Sequence, residues 1–266
     1  MEQIKYLEFG GSLLYYVKSG AGDQSLITFH GFGQSIKDFA VMEAAYPSHT
    51  FYHIGLFFHQ SFLHKTHRPL TPDIWLQVFA RFLKEENIDK FSLAGFSIGC
   101  RLIYSISECY AQLLNGVLLL SPEGEKLSGW YRAGVTIFRG FLKYFIFRPV
   151  VWFSLLDLLV KVKLLNNSVG CFARSQMKTR NKRWQVYMTW INFRLLRLDL
   201  KKWSAVMNQT QIPVTLVTGK NDLVIPAGSA KAICKQLMIA THYQIKAGHQ
   251  DLLKRSAEFL KLNQNY

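Results

Sequence analysis

The 266-residue sequence has only four cysteines, 17 acidic residues and no uniformly apolar stretch of the roughly 18–20 residues that a membrane span needs. The cysteines form no CxxC pair and are too sparse for a disulfide scaffold, which favours a reduced, intracellular protein. Charged residues occur among the first eight positions and no apolar signal region follows, so no secretory signal is predicted. We therefore expect a cytoplasmic protein.

Basic residues are unevenly distributed along the chain. Lysine and arginine number 32 in all, and residues 122–205 hold 16 of them against four acidic residues. The rest of the chain is close to neutral, which indicates that this segment is a separate unit with its own surface role. No nucleic-acid-binding motif accompanies the charge, so a nucleic-acid partner is not expected.

Strands and helices alternate on both sides of this basic segment. Short apolar runs predict eight strands, of which the first two, residues 3–9 and 12–18, form a hairpin at Gly10-Gly11. Helical spacing predicts one helix over residues 35–46 and another that begins at Thr71-Pro72. Continuous apolar strands separated by helices are typical of a mostly parallel sheet with helices on both faces. The predicted fold class is therefore α/β.

Four short motifs follow predicted strands, at the edge where the carboxyl ends of parallel strands meet. The first two are His30-Gly31-Phe32-Gly33 and Gly95-Phe96-Ser97-Ile98-Gly99, and later strands are followed by Asp222 and by Gly248-His249. In this order the sequence resembles the α/β-hydrolase superfamily, in particular its capped serine esterases and lipases. The resemblance covers the chain apart from the basic segment, and it implies an eight-stranded α/β-hydrolase sheet.

The resemblance implies a catalytic triad of serine, histidine and aspartate. Ser97 is the implied nucleophile, because Gly-x-Ser-x-Gly brings a serine out above the sheet on a strand-to-helix turn. A serine hydroxyl needs a base at neutral pH, and His249 is the implied base. Asp222 is implied to hold the His249 tautomer and to stabilise its imidazolium form. Such a site makes an acyl-enzyme from an ester, a thioester or a related acyl compound, and it needs no cofactor or metal.

The resemblance also implies an oxyanion hole. The backbone N–H groups of Phe32 and Ile98 are the implied donors to the substrate oxygen on which negative charge develops. His30 is expected to set the conformation of its loop rather than to act as an acid or base. The supporting residues of the two loops are His30, Gly31, Gly33, Gly95 and Gly99.

Two of these assignments have competitors in the sequence. Asn221 and Asp251 lie near Asp222, but Thr-Gly-x-x-Asp-x-x-Ile-Pro matches the acid loop of the superfamily, and Asp251 is predicted to begin the last helix. His242 competes with His249, but it falls inside the last predicted strand. We therefore favour Asp222 and His249.

One loop departs from the superfamily pattern. Relatives often carry Asp-x-Pro-Gly after the strand at residues 50–55, whereas this sequence has Ile-Gly-Leu-Phe-Phe-His at residues 54–59. The surrounding segment contains His53, His59, His64 and His67, whose spacing matches no standard metal signature, so a solvated loop is predicted. Because the loop borders the implied site, the acyl specificity stays open.

Residues 1–121 and 206–266 are expected to form the α/β-hydrolase core, and residues 122–205 to form the helical cap that relatives insert. Aromatic and aliphatic residues lie between the cations of this segment, among them Trp152, Phe153 and Leu156. Three partners stay open for it: an anionic membrane surface, an acidic carrier protein or a small anionic substrate. The first would place the protein peripherally at the inner membrane surface. Ordinary amphipathic packing is the fourth interpretation.

The predicted function is hydrolysis of a carboxylic ester with a medium or long acyl group, because the cap segment is rich in apolar residues. Acyl transfer and hydrolysis of an acyl thioester or an acyl-carrier-protein ester share the acyl-enzyme and are the enzymatic alternatives. A non-catalytic binding module with the same fold is the alternative from another class. The sequence leaves the oligomeric state open.

Overall fold

A computed structural model of the chain describes residues 2–125, 143–144, 146–164 and 166–263. The chain forms two compact units. Met1–Lys126 with Leu195–Tyr266 is called the sheet unit below, and Leu127–Arg194 is called the basic unit. Residues 195–205, which the sequence analysis assigned to the basic segment, are thus grouped with the sheet unit.

The sheet unit is built on an eight-stranded sheet in the order β1-β2-β4-β3-β5-β6-β7-β8. The first two strands run antiparallel to their neighbours, and the other six pair in parallel. This confirms the predicted mostly parallel, eight-stranded sheet. The strands are β1 (Gln3–Phe9), β2 (Ser12–Gly20), β3 (Gln24–Phe29), β4 (His49–Ile54), β5 (Phe91–Phe96), β6 (Leu114–Leu120), β7 (Val214–Gly219) and β8 (Ala240–Ile245).

The helices of the sheet unit begin and end at capping residues that the sequence makes visible. Thr71 Oγ1 accepts a hydrogen bond from the Ile74 amide at 3.3 Å, and Pro72 follows at the first helical position. This confirms the predicted start at Thr71-Pro72, and Asn87 in the left-handed region ends the same helix. The helices are α1 (Ile36–Phe39), α2 (Pro72–Glu86), α3 (Cys100–Cys109), α7 (Leu200–Thr210), α8 (Gly228–Cys234) and α9 (Leu252–Asn263).

The segment predicted as one helix over residues 35–46 is instead divided. The structure has the short helix α1 followed by a 3-10 helix over Ala40–Ala45. Phe39, Met42 and Ala45 are all buried in the core. Their spacing of three residues is the period of a 3-10 helix, which brings each of them to the same side of the segment. An α-helix would rotate them away from one another.

The carboxyl ends of the central strands lie in the core. The last four residues of β3, β5, β6 and β7 are buried, and side chains of α9 pack against them. Leu120 and Val217 from the strands share one core cluster with Leu252 and Leu253 from α9. Full burial of each such side chain contributes about 1.5–3 kcal/mol, so the loops that follow these strands start from fixed positions.

In the basic unit the structure describes α4 (Pro149–Lys161), α5 (Asn167–Gln176) and α6 (Arg180–Phe193). Thr179 caps α6, since its Oγ1 accepts a hydrogen bond from the Lys182 amide at 3.2 Å. Arg174 on α5 forms an ion pair with Asp157 on α4. Residues 126–142 of the predicted cap lie outside the described residues. Among the helices that are described, none is both long and apolar enough to cross a membrane.

Candidate active site

Ser97 lies on a tight turn between β5 and α3. Its backbone φ is +54°, in the left-handed region that non-glycine residues rarely adopt. A 3-10 turn over Ser97–Gly99 leads from the strand into the helix. A residue held in this conformation costs of order 1–3 kcal/mol, and such strain concentrates at functional sites. The turn therefore has the backbone geometry that Gly-x-Ser-x-Gly predicts.

Close packing explains why glycines flank Ser97. A Cβ atom added at Gly99 would lie 2.3 Å from the carbonyl oxygen of Phe29 and 2.7 Å from that of His30. One added at Gly95 would lie 2.7 Å from Ile103 Cδ1. Only glycine fits at either position without displacing the neighbour. The approach at Gly99 also joins the Ser97 turn to the loop that follows β3.

The structure brings Asp222 and His249 together. His249 Nδ1 lies 2.7 Å from Asp222 Oδ2, and both residues are buried. Because a carboxylate only accepts hydrogen bonds, Nδ1 carries the hydrogen and donates. The His249 ring stacks at a tilt on Phe96, the residue before Ser97, with 5.0 Å between the ring centroids. The histidine thus lies beside the Ser97 turn.

Asp222 is held in its charged form. Burial by itself raises the pKa of this carboxyl group, but the hydrogen bonds that it accepts hold the pKa below its ordinary value. His249 and Ser121 donate to Oδ2, and the amides of Val224 and Ile225 donate to Oδ1 at 2.9 Å each. An ionised Asp222 can stabilise a positive charge that forms on His249.

The competing residues lie elsewhere. Asp251 Oδ1 accepts a hydrogen bond from the Gly248 amide at 2.7 Å, next to the start of α9. His242 lies in β8, where its Nε2 is 2.8 Å from Thr218 Oγ1. Asn221 donates its backbone amide to the carbonyl oxygen of Ala247 at 3.0 Å. The observed pair is therefore the one that the sequence analysis favoured.

Ser121 is part of this cluster and was missed in the sequence. It directly follows β6, adopts φ +46° and donates its hydroxyl hydrogen to Asp222 Oδ2 at 2.5 Å. Its own amide donates to the carbonyl oxygen of Val217 at 2.8 Å, which ties the end of β6 to β7. The available signal was its position after an apolar strand, the position that Ser97 and His30 also occupy.

In the loop after β3, the amides on either side of Phe32 have hydrogen-bond acceptors. The Gly31 N–H donates to Gln34 Oε1 at 2.8 Å, and the Gly33 N–H donates to His59 Nε2 at 3.1 Å. Between them, the Phe32 N–H has no acceptor in the described part of the chain. At the other loop, Ile98 belongs to the first turn after β5, where N–H groups lack partners within the helix.

His30 joins this loop to the loop after β4. Its Nδ1 lies 2.9 Å from the Gly31 carbonyl oxygen, and its Nε2 accepts a hydrogen bond from the Leu56 amide at 3.2 Å. Burial lowers the pKa of His30, so the ring stays neutral. A neutral, fully buried histidine with both nitrogens occupied serves as a structural bridge between the loops after β3 and β4.

The loop after β4, which lacks Asp-x-Pro-Gly, contacts the loop after β3 through His59. Phe58 adopts φ +68°, which directs His59 toward the loop after β3. The His59 ring packs edge-on against the rings of His30 and Phe32, at 5.3 and 5.2 Å between centroids. Burial lowers the pKa of His59 to about 3, so its Nε2 stays an acceptor for Gly33 at neutral pH.

The prediction of a solvated histidine loop is wrong for two of its members. His53 is buried in β4, between Thr28 Oγ1 at 2.7 Å and Glu43 Oε1 at 2.9 Å, and His59 contacts the loop after β3. The reason is that β4 lies inside the sheet, and its loop packs against the loop after β3, so both histidines form hydrogen bonds within the protein. Within the described residues, no group of three or more metal-ligating side chains occurs.

The cysteines take no part in this cluster of polar groups. Cys100 follows the Ser97 turn and is buried, with its Sγ 3.2 Å from the Gly95 carbonyl oxygen and 3.8 Å from that of Leu120. Burial raises the pKa of its thiol. Cys109 and Cys171 are exposed, and both are free thiols.

Comparison with known proteins shows which fold the chain has. No protein-family model matches the sequence, and no curated protein matches it. An α/β-hydrolase enzyme from a Medee basin deep-sea metagenome library is similar over 97% of this chain and 95% of its own, at 14% identity and a TM-score of 0.72. A thermophilic esterase from Thermogutta terrifontis is similar over 99% and 97%, at 14% identity and 0.72.

A third solved structure, the thioesterase domain from the curacin biosynthetic pathway, is similar over the full length of both chains, at 15% identity and a TM-score of 0.68. These similarities extend over almost the whole chain. The protein has the α/β-hydrolase fold.

Proposed function

We propose that the protein is a serine hydrolase that cleaves a carboxylic ester through an acyl-enzyme. The observation that carries this proposal is the buried hydrogen bond between His249 and Asp222 beside the strained turn of Ser97. A buried histidine paired with an ionised carboxylate, next to a serine at a strained backbone position, is the arrangement that an activated serine needs. The esterase and thioesterase with similar folds support acyl chemistry as the reaction type.

In the proposed reaction, Ser97 Oγ attacks the carbonyl carbon of the ester. With Nδ1–H donating to Asp222, His249 presents Nε2 as the base that takes the serine proton. The proton then passes to the leaving alcohol, and a water molecule activated by His249 releases the acid. Asp222 keeps the tautomer and offsets the imidazolium charge in each half.

The Phe32 and Ile98 amides are proposed as the oxyanion hole. The support is that the amides on either side of Phe32 already have acceptors, in Gln34 and His59, while that of Phe32 is left to a ligand. The partial positive charge at the start of α3 favours an oxyanion at the same place. Loss of one such donor typically lowers the rate by about 10²–10³.

An active-site probe tests the proposal directly. A fluorophosphonate should label the wild type covalently and should leave Ser97→Ala unlabelled, because the reagent needs an activated serine. Ser105→Ala, a change of a second serine on the helix that follows Ser97, is the matched control and should label like the wild type. Equal labelling of the wild type and Ser97→Ala would end the serine-hydrolase proposal, and so would absence of labelling in both.

Acyl transfer or thioester hydrolysis is the second candidate, and the similarity to the curacin thioesterase domain favours keeping it. A panel of p-nitrophenyl esters of graded chain length, with matched thioesters and with added alcohol acceptors, separates the candidates. Fastest release from medium or long esters into water supports ester hydrolysis. Faster turnover of thioesters, or product formed only with an acceptor, would replace it by the second candidate.

A further inference from the structure

Helix α4 and the turn that ends it present large apolar side chains to solvent. Val150 is 77% exposed, Leu158 54%, Val162 51% and Leu164 69%. A surface helix normally directs such residues to the interior and exposes charged ones. Contiguous exposed apolar side chains mark places where a protein contacts another surface.

These side chains lie on one side of the helix. With about 100° between successive residues, Val150, Val151, Leu158 and Val162 fall within an arc of about 120°. Leu156, on the opposite side of the same helix, is buried. The exposed arc is therefore a second apolar face and does not belong to the one that packs inside the unit.

The turn that ends α4 holds Lys163 and Leu164 in defined positions. Lys163 has φ +57°, its amide donates to the Val160 carbonyl oxygen at 3.0 Å, and the Leu164 amide donates to that of Leu159 at 3.0 Å. This pair of hydrogen bonds is a Schellman ending, which sets the backbone direction rigidly. Leu164 and Lys163 are consequently held at the end of the apolar arc.

Positive charge surrounds the arc. Residues 127–194 contain 12 lysines and arginines but one acidic residue, Asp157, which forms an ion pair with Arg174. Arg148 precedes the helix and Lys161 ends it, both exposed. The exposed cations of the described part of the basic unit are Lys143, Arg148, Lys161, Lys163, Arg174, Lys178, Arg180 and Lys182.

We propose that α4 with its ending, residues 149–164, is a docking surface for an anionic membrane. The aliphatic side chains enter the boundary between headgroups and acyl chains, and the lysines and arginines contact the lipid phosphates. An acidic protein would satisfy the cations, but it would leave protruding aliphatic side chains without an apolar partner. A nucleic acid would likewise satisfy the cations through its phosphates and leave the aliphatic side chains without an apolar partner. The proposal does not depend on Ser97 chemistry.

Flotation of the full chain with vesicles tests the surface. The protein should float with vesicles of phosphatidylcholine mixed with phosphatidylglycerol and should stay unbound with phosphatidylcholine alone. Added salt should weaken the binding, since it screens exposed charges. Equal binding to both vesicle types, or binding to neither, would overturn the proposal. Ser97→Ala should float like the wild type, which separates this result from the proposed function.

Two pairs of substitutions locate the contact. Leu158→Gln with Val162→Gln should lower the vesicle partition coefficient about tenfold, because both apolar side chains leave the arc. Lys161→Gln with Lys163→Gln should lower it about 25-fold at low salt, since each lysine near an anionic surface contributes about fivefold. Flotation of either pair at the wild-type level would overturn the proposal.

Controls come from the sheet unit. Ile4→Gln removes an apolar residue that is 62% exposed on β1, and Lys231→Gln with Lys235→Gln removes the same charge from exposed positions on and next to α8. Both controls should float as the wild type does, and a loss as large as that of the α4 variants would contradict a localised surface. If the Leu158 variant loses helical circular dichroism, Leu164→Gln replaces it, because that residue lies outside the helix.

Discussion

The sheet unit and the basic unit hold their polar side chains in opposite ways. In the sheet unit, Ser121, Asp222 and His249 are buried in the loops that follow strands, and Asp222 accepts hydrogen bonds from the other two. In the basic unit, the cations are mostly exposed, and the ion pair of Asp157 with Arg174 lies at the surface. Changes in the first set should therefore alter chemistry, whereas changes in the second should alter binding and leave chemistry intact.

Asp222→Asn should greatly lower the rate of the proposed reaction. An asparagine keeps the shape but no longer fixes the tautomer or offsets the charge of His249, so kcat should fall about 10⁴-fold. The measurement is hydrolysis of an activated ester. Asp251→Asn is the matched control and should change kcat less than about threefold, because the half-exposed Asp251 contacts only the Gly248 amide and, at 3.9 Å, Arg255. Equal losses would contradict the assigned acid.

His59→Phe should lower kcat about 10–100-fold with little change in KM. The variant leaves the Gly33 N–H without an acceptor and shifts the Phe32 amide, which is proposed to act in the transition state. His59→Gln, which retains an acceptor oxygen, should lose less. His64→Gln in the same segment is the control. A rise in KM alone would assign His59 to substrate binding instead.

Ser97→Gly should abolish activity and yet stabilise the fold by about 0.5–1 kcal/mol. Glycine adopts a positive φ without the steric cost that a side chain incurs, although it loses more entropy on folding. Ser97→Ala keeps the cost and serves as the comparison in urea unfolding. A lower stability for the glycine variant would show that the turn at Ser97 is not strained.

Acid should weaken the fold partly through His59. Because burial lowers its folded pKa to about 3, the unfolded chain binds a proton below about pH 6.5 while the folded chain does not. Stability should therefore fall as the pH drops from 6.5 toward 3. His59→Gln should show a shallower fall in urea unfolding over that range, and parallel curves would contradict the burial of a neutral ring.

Leu158→Gln with Val162→Gln should have the smallest effect on chemistry. These exposed side chains belong to the basic unit, so turnover of a short, water-soluble ester should stay within about twofold of the wild type. The same variant should bind vesicles about tenfold more weakly. A loss of turnover on the short ester as large as that of His59→Phe would contradict the assignment of chemistry to the sheet unit and of binding to the basic unit.

Much of the arrangement at the carboxyl ends of the strands could be predicted, because short local sequence patterns specify it. Apolar runs gave the strands, and Gly-x-Ser-x-Gly specified a turn that only close-packed glycines permit. The pairing of Asp222 with His249 followed from positions after two strands of one parallel sheet. In such cases the sequence pattern and the tertiary contact are set by the same backbone geometry.

Contacts made only by the tertiary structure could not be predicted. Ser121 reaches Asp222 because β6 and β7 pair with Leu120 opposite Val217, and that register has no signature in the sequence. The His59 contact depends on the positive φ at Phe58. In α4, nothing in the sequence separates Leu156, which the structure buries, from Val150, which it exposes. An apolar stretch does not itself show which face is covered.

The buried thiol of Cys100 has a consequence for resistance to oxidants. Peroxides attack thiolates, and burial disfavours the thiolate of Cys100, whose sulfur joins the ends of β5 and β6 beneath the Ser97 turn. Oxidation will instead start at the exposed Cys109 and Cys171. The turn that carries Ser97 is thus shielded from oxidative damage by the packing that holds it in place.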